Sequence, residues 1–331
     1  MSTTMREGKE LIDATRPYTA ESRARSWYEV VVTLAAIGAS TAVAAAAPFW
    51  PVRLGAAVVS GLIIVRGFII YHDFMHGALL RKSPLARAIM YAYGTLVLTP
   101  PRVWRETHNY HHAHNAKIVG SHVGSYPVVT VEMWKKLRPI ERVMYRIARH
   151  PLTIVLGYGP IFLYGMCASS FRRRPLRNWD SALALVVHFG LFAAIAWAWG
   201  WQMLLFVFLL PLVVACGMGA YLFYAQHNFV GVHMQPRHEW SYTRAAIESS
   251  SYMEMSPVME WFTGNIGYHH VHHLNPTIPF YRLPEAMAGI PELSGAKVTS
   301  LRPREVAACF RLKLWDADAG RMVGYRDTAE G

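Results

Sequence analysis

The sequence predicts an all-α integral membrane protein. Four transmembrane helices form two hairpins, and a helical cap on the cytoplasmic side carries a histidine-ligated metal centre. Three observations carry that expectation. The 331 residues are 53% hydrophobic but only 16% charged, against roughly 25% charged in soluble domains. Apolar, charge-poor runs of membrane-crossing length come in pairs. Ten of the sixteen histidines crowd into three short windows. This composition excludes a disordered chain, a coiled coil and a nucleic-acid-binding tail. Cys167, Cys216 and Cys309 lie far apart with no CxxC pair, which argues against a disulfide framework or a thiolate zinc site.

One domain, residues 1–331, is expected, in three parts. Residues 1–26 are a polar N-terminal segment without the basic start and apolar core of a secretory signal. Residues 27–285 form the core, and residues 286–331 form a cytoplasmic tail packed on it. Within the core, residues 30–47 carry no charge and residues 54–71 carry only Arg66. Each run is just long enough to span, and Pro48, Phe49, Trp50 and Pro51 form the turn between them. Residues 181–226 contain no Asp, Glu, Lys or Arg. A straight helix of that length would measure about 70 Å, twice a hydrocarbon core, so Gly200-Trp201-Gln202 is the expected turn of a second hairpin.

Charge sets the orientation. Of 33 Lys and Arg, only Arg53 and Arg66 lie within the hairpins, so both termini and the middle section belong on the positive, cytoplasmic side. Residues 152–170 are apolar but interrupted by Gly157, Gly159, Pro160 and Gly165, and arginines flank them at both ends. They are expected to lie in or dip into the cytoplasmic leaflet rather than cross. Residues 86–98 are too short to span.

The three windows are His72-Asp73-Phe74-Met75-His76, His108-Asn109-Tyr110-His111-His112-Ala113-His114 and His269-His270-Val271-His272-His273. Together they cover 17 positions, where chance would place about one His. On a helix, residues i, i+3 and i+4 share a face. His72 and His76, then His108, His111 and His112, then His269, His272 and His273, can therefore point together. Neutral imidazole is a common ligand for iron, zinc, copper and nickel, and eight or more such rings suit two metal ions. A solvated histidine patch does not explain why each window sits near the cytoplasmic end of an apolar hairpin. His238-Glu239 has no second His at the spacing of a zinc-protease motif.

These residues resemble the membrane fatty acid desaturases, specifically the acyl-lipid type related to Δ12 (omega-6) enzymes. The likeness runs from about Val52 to Ala286. It rests on His72-Asp73 through His76-Gly77, Trp104-Arg105 through His111-His112, Tyr224-Ala225-Gln226-His227-Asn228 and the run from Phe262 to His273. Asn275-Pro276 and Ile278-Pro279 follow that run. The resemblance implies a non-haem di-iron centre held by His72, His76, His108, His111, His112, His227, His269, His272 and His273. It also implies insertion of a double bond into an acyl chain with O2 and two electrons. His114 and His270 fall outside the ligand pattern. His188 reads as a helix-packing contact, and His122, His150, His233 and His238 as surface residues. The spacing of the first box departs from the stearoyl-CoA type, which weakens a CoA thioester as substrate.

An unactivated C–H bond gives general acid–base catalysis no handle, so a redox metal must supply the oxidising power. Zinc has no redox chemistry. Phe74, Met75, Trp104, Tyr110 and Trp261 are candidates to line the acyl tunnel, with ordinary packing as the competing role. Asp73, Glu106 and Glu260 are candidates to accept the second ring N–H of a ligand. With no haem, flavin, nicotinamide or iron–sulfur motif in the chain, a separate ferredoxin or small cytochrome is the expected electron donor. Membrane lipids and an acyl-lipid or fatty acyl substrate are the other expected partners, with no nucleic acid. A bacterial inner membrane is the expected location. Related di-iron oxidases that hydroxylate alkyl chains, oxidise carotenoids or release terminal alkenes remain the alternative. A metal transporter is the alternative of another class, disfavoured because His188 is the lone candidate ligand in the spans.

Overall fold

The computed structural model describes residues 5–118, 120 and 123–327. His122 lies outside the described residues. A short helix α1 (Gly8–Ala14) precedes α2 (Arg23–Ala46) and α3 (Trp50–His76), which pair as the first hairpin. Both helices are longer than the uncharged runs. Trp50 and Pro51 open α3 rather than belonging to the turn, because proline is tolerated in a helix's first turn, where its missing N–H has no partner to lose. α2 starts seven residues early, capped by Ser22, whose side chain accepts the Arg25 backbone N–H, and its first charges, Arg23 and Arg25, stay exposed. Glu29 is buried and pairs with Arg25 at 2.6 Å and with the buried Arg66 of α3. The one charge of the second run is thus answered by a residue just outside the first.

α4 (Pro84–Leu96) and α5 (Pro101–His114) follow, then α6 (Val131–Lys136), α7 (Pro139–Ala148) and α8 (Pro151–Val155). A π-helical segment, Tyr158–Ser169, continues into α9 (Ser170–Arg173). Among the described residues three helices are long and apolar enough to cross a membrane, Arg23–Ala46, Trp50–His76 and Trp179–Ala225, and this stretch is not one of them. It packs instead against the last of them. Tyr158 Oη lies 2.7 Å from His188 Nε2, which accounts for that lone histidine.

Trp179–Ala225 is interrupted. α10 (Trp179–Met203) contains Gly200 at φ 78° and ψ 178°, a conformation outside the helical region and open to glycine at little cost. A second π-helical segment, Leu204–Leu209, leads into α11 (Leu210–Ala225). Arg53, in the first turn of α3, donates to Gln202 Oε1 at 3.4 Å and lies over the Phe206 ring at 4.9 Å. The break at Gly200 therefore sits beside the turn of the first hairpin. Phe49, Trp50, Trp197, Trp199 and Trp201 are all exposed around these two tips. α3 packs between α2 and α11, and the opposite ends of α3 and α11 carry His76 and His227.

Beyond α11 the chain forms a compact cap. It holds α12 (Tyr242–Glu248), α13 (Pro257–Phe262) and α14 (His269–Leu274), with α15 (Leu283–Gly289) and α16 (Pro303–Arg311) behind them. The all-α expectation needs one amendment. Strand β1 (Tyr252–Glu254) pairs in parallel with β2 (Val298–Ser300), and β3 (Leu314–Asp316) pairs antiparallel with β4 (Arg321–Val323). The first pairing crosses the expected boundary at residue 286, so the tail is woven into the cap. The N-terminal segment is tied there too. Arg6 pairs with Glu292 at 2.8 Å, and Asn275 donates to Thr15 Oγ1 at 2.7 Å.

Candidate metal centre

Nine histidines from four elements converge at the end of the hairpins that lies away from the tryptophans. α3 supplies His72 and His76, α5 supplies His108, His111 and His112, and α14 supplies His269, His272 and His273. His227 follows α11 directly. Two sets of ring nitrogens result. His72, His76, His108, His112 and His272 form one, His111, His227, His269 and His273 the other, and within each set the candidate ligand atoms lie within 4.8 Å of one another. In the first set, consecutive Nε2 atoms of His72, His108, His112 and His272 are 3.0, 3.1 and 3.1 Å apart. In the second, His111, His227, His269 and His273 form a closed ring with edges of 3.1, 2.9, 3.1 and 3.3 Å.

The boxes do not each serve one metal position. Positions i and i+4 differ by about 40° around a helix, while i+3 and i+4 differ by about 100°. His108 and His112 therefore enter the five-histidine set, and His111 turns to the other. α14 does the reverse, sending His269 and His273 to the four-histidine set and His272 to the first. The single shared face expected for each box holds for His72 and His76 but is split between the two sets in the second and third boxes.

Burial makes these rings metal-ready. His108, His111, His112, His269, His272 and His273 are held well below the usual imidazole range by burial and by each other, and His227 is pushed down to about 4 by burial. All are neutral at pH 7, the form that binds a metal. Neutral imidazole nitrogens gathered about 3 Å apart in two buried clusters are a donor set that a cation at each centre would satisfy, so the residues fit a bound metal.

The rings are aimed by their second nitrogens and by a tight turn. His72 Nδ1 donates to Asp73 Oδ1 at 3.0 Å, and Asp73 Oδ2 accepts the Phe280 backbone N–H at 2.6 Å. His227 Nδ1 donates to the Ser249 carbonyl at 3.0 Å. Gln226 and Asn228 anchor the neighbouring backbone, to Ile266 O at 2.7 Å and Cys309 O at 2.8 Å. Gly264, at φ 51°, leads into α14 in a place where a Cβ would press on Ile69 at 3.0 Å, so the loop comes close against α3.

Of the carboxylates read from the sequence, Asp73 reaches a ring. Glu106 is exposed and pairs with Arg174 at 3.5 Å and Arg177 at 2.9 Å. It points outward because it lies on the face of α5 opposite His108 and His112. Glu260 is half-buried in α13 and makes no hydrogen bond to a histidine.

The tunnel candidates also divide. Trp104 is buried and stacks on His108 at 4.3 Å. Met75 is buried, its sulfur accepting from Arg105 at 3.7 Å, and Phe74 is half-buried against the core. Tyr110 stacks on His114 at 3.8 Å and donates to Gly120 O at 2.9 Å. Trp261 is exposed and covers Arg66 at 4.6 Å, away from the histidines. The aromatic ring that sequence reasoning missed is Phe223, 4.9 Å from His111 and 5.7 Å from His227. Its position four residues before His227 on an apolar helix was the available signal. His270 is fully buried but belongs to neither set, and faces the backbone at Ser251 and Leu293. His150 and His238 are exposed and His233 is half-buried, its ring 5.8 Å from Trp315.

Residues 48–304 match the family model for fatty acid desaturases, well over half of the chain. The chain belongs to the fatty acid desaturase family. A Bacillus subtilis fatty acid desaturase is 30% identical over 276 residues, covering 82% of this chain and 77% of the relative. A Synechocystis sn-1 oleoyl-lipid 12-desaturase is 24% identical, covering 81% and 76%. A chloroplastic omega-6 fatty acid desaturase of Brassica napus is 24% identical, covering 84% of this chain and 62% of the relative. The desaturase is thus an oxidoreductase whose apolar helices are those of a membrane protein.

Proposed function

We propose that this desaturase inserts a double bond into the acyl chain of a membrane lipid, using O2 and two electrons from an external ferredoxin or small cytochrome. The observation that carries the reading is the pair of histidine sets. We assign one iron to His72, His76, His108, His112 and His272, and a second to His111, His227, His269 and His273. Two nitrogens about 2.1 Å from one ion lie about 3.0 Å apart at a right angle and about 3.4 Å apart at the tetrahedral angle usual for structural zinc. Six of the seven edges, at 2.9 to 3.1 Å, lie nearer the right angle, the His111–His273 edge at 3.3 Å nearer the tetrahedral one, and five rings exceed zinc's usual four. When bound, the irons supply the oxidising power that removes hydrogen from two neighbouring methylenes.

The protein's own work is positioning. Asp73 and the Ser249 carbonyl fix the ring orientation of His72 and His227, and Trp104 and Phe223 wall the two sets with apolar surface. The basic flanks support cytoplasmic placement of the site, and our reading locates it in a bacterial inner membrane. Four spans follow from parity. All three boxes meet at one place, so an even number of crossings separates the second box from the third. The break at Gly200 supplies two, with Pro151–Arg173 remaining in the cytoplasmic leaflet. A reporter fused after Asn178 should read cytoplasmic and one at Gly200 exterior; an exterior signal at Asn178 would break the parity.

The function is tested by profiling lipids and volatiles after expression in a bacterium without polyunsaturates. A new unsaturated acyl chain supports the reading. A hydroxylated chain or a terminal alkene would move the enzyme to a related oxidase outcome. Metal analysis of protein purified with iron supplied should give about two iron per chain, and full activity with stoichiometric zinc would sink the assignment.

A further inference from the structure

Arg149, the residue that ends α7, is fully buried. Its guanidinium donates to Asn228 Oδ1 at 2.6 Å, to the Pro127 and Leu312 carbonyls at 2.7 and 3.2 Å, and to Tyr224 Oη at 3.2 Å. Every one of these acceptors is neutral. Among the described residues no carboxylate makes an ion pair with it. Lys313, 8% exposed, donates to the Arg149 carbonyl at 2.5 Å, which places a second cation in the same buried region. Burial and Arg149 bring the Lys313 ammonium down to about 8, so it keeps its proton at neutral pH.

Buried charge without a counter-charge is costly, and its field falls on whatever lies next to it with little screening. Next to it is the four-histidine set. A cavity of about 20 Å³, room for a single water, has Arg149, Tyr224 and Asn228 in its wall together with His227, Phe223 and Ser249. On the side of the five-histidine set, the Asp73 carboxyl lies beside His72 Nδ1 at 3.0 Å and accepts the Phe280 N–H at 2.6 Å. Arg105 is the cation on that side, but it is exposed and screened by water. Arg66, further up α3, is neutralised by Glu29.

We propose that Arg149, assisted by Lys313, makes the two metal positions unequal, so that the first electron from the one-electron donor is held by the iron of the four-histidine set. With both irons bound, the electron supplied by the external donor would reduce the iron of the four-histidine set from ferric to ferrous and leave its neighbour ferric. Arg149 is a positioning residue here, acting through its field and through Asn228, and the inference rests on the two-iron assignment.

The test uses the full-length protein in detergent, with two iron per chain established by metal analysis before any reductant is added. Anaerobic titration with a mediated one-electron reductant, followed by Mössbauer spectroscopy, reads each reduction step. Arg149→Gln should disfavour the first reduction about tenfold, equal to about 59 mV for one electron, and move the second less. Arg149→Lys keeps the charge and should stay near wild type. Lys313→Met should shift the first step in the same direction by a smaller factor. With two irons bound, an unmoved first step in Arg149→Gln overturns the proposal. An equal shift in Arg149→Gln and Arg149→Lys also overturns it, since that would be packing. Should Arg149→Gln fail to fold, Lys313→Met decides, and an unmoved first step there overturns it. Fewer than two irons in the wild type would break the two-iron assignment itself, and is recognised before the titration begins.

Discussion

In the five-histidine set His72 hands its second ring N–H to the carboxylate of Asp73, whereas in the four-histidine set His227 hands its own to the Ser249 carbonyl and shares a cavity with a buried guanidinium. The ligand rings are the same chemical group in both. The difference lies one bond further out, and it teaches that two sites that share two of the three boxes can be given different electronic character by the residues around their ligands. The exchange of His111 and His272 between the sets adds a second lesson. Because α5 and α14 each contribute to both, neither set can be lost without disturbing the other.

The hardest way to break the comparison is to remove one exchanged ring from each set. His272→Ala and His111→Ala should both reduce product to background, although the proteins still insert, since the spans satisfy their own backbone hydrogen bonds without the histidines. Iron analysis should show the loss in both variants. Near-normal turnover in His272→Ala would mean that the five-histidine set is assigned wrongly.

The outer partners come next. Asp73→Asn should lower metal affinity or activity by about 10–100-fold, the usual cost of losing a ligand's hydrogen-bonded carboxylate. Ser249 offers its backbone carbonyl, so Ser249→Ala should leave that ligand hydrogen bond intact and cost far less. Equal losses in the two variants would erase the distinction drawn here between carboxylate and carbonyl support.

Acid should act on both sets in the same direction. His227 is neutral in the fold down to about 4, while an unfolded histidine takes its proton near 6.5. Stability from this burial is therefore present above about pH 6.5 and is lost progressively as pH falls toward 4. Thermal melts of the protein between pH 7.5 and 5 should show a falling midpoint, and a flat profile would argue against neutral, desolvated rings. The smallest effect on chemistry is expected from His270. His270→Ala should keep both irons and substantial activity, at a folding cost of roughly 2–4 kcal/mol for the space it leaves in the cap. Loss of iron in that variant would enlarge the ligand set beyond nine.

Much of this was legible in the sequence for a physical reason. Charge-free runs and clustered imidazoles are local signals with few alternative explanations, so the hairpins and the ring inventory could be read from residues alone. What could not be read depends on contacts between distant segments. Glu29 is the partner of Arg66 across 37 residues, Phe280 reaches Asp73 across 207, and Arg149 meets Asn228 across 79. Glu106 was a reasonable choice by proximity to His108, but helix geometry sends it outward to Arg177. The division of the second and third boxes into two directions was in principle available from the 100° step per residue, and was missed by treating i+3 and i+4 as one face.

The exposed tryptophans at the hairpin tips also fix a height. From Trp50 to His72 along α3 is 22 residues, about 33 Å of helix, which is about the thickness of a bilayer's hydrocarbon layer. With the tips anchored at one face, the two histidine sets would stand just past the other, beyond the oily layer where acyl tails reside. A tail must therefore rise out of its own solvent to react, and each methylene that met water on the way would cost about 0.8 kcal/mol. The enzyme has to extend the oil upward with its own side chains, and the depth of that extension would decide which carbon stops at the metals.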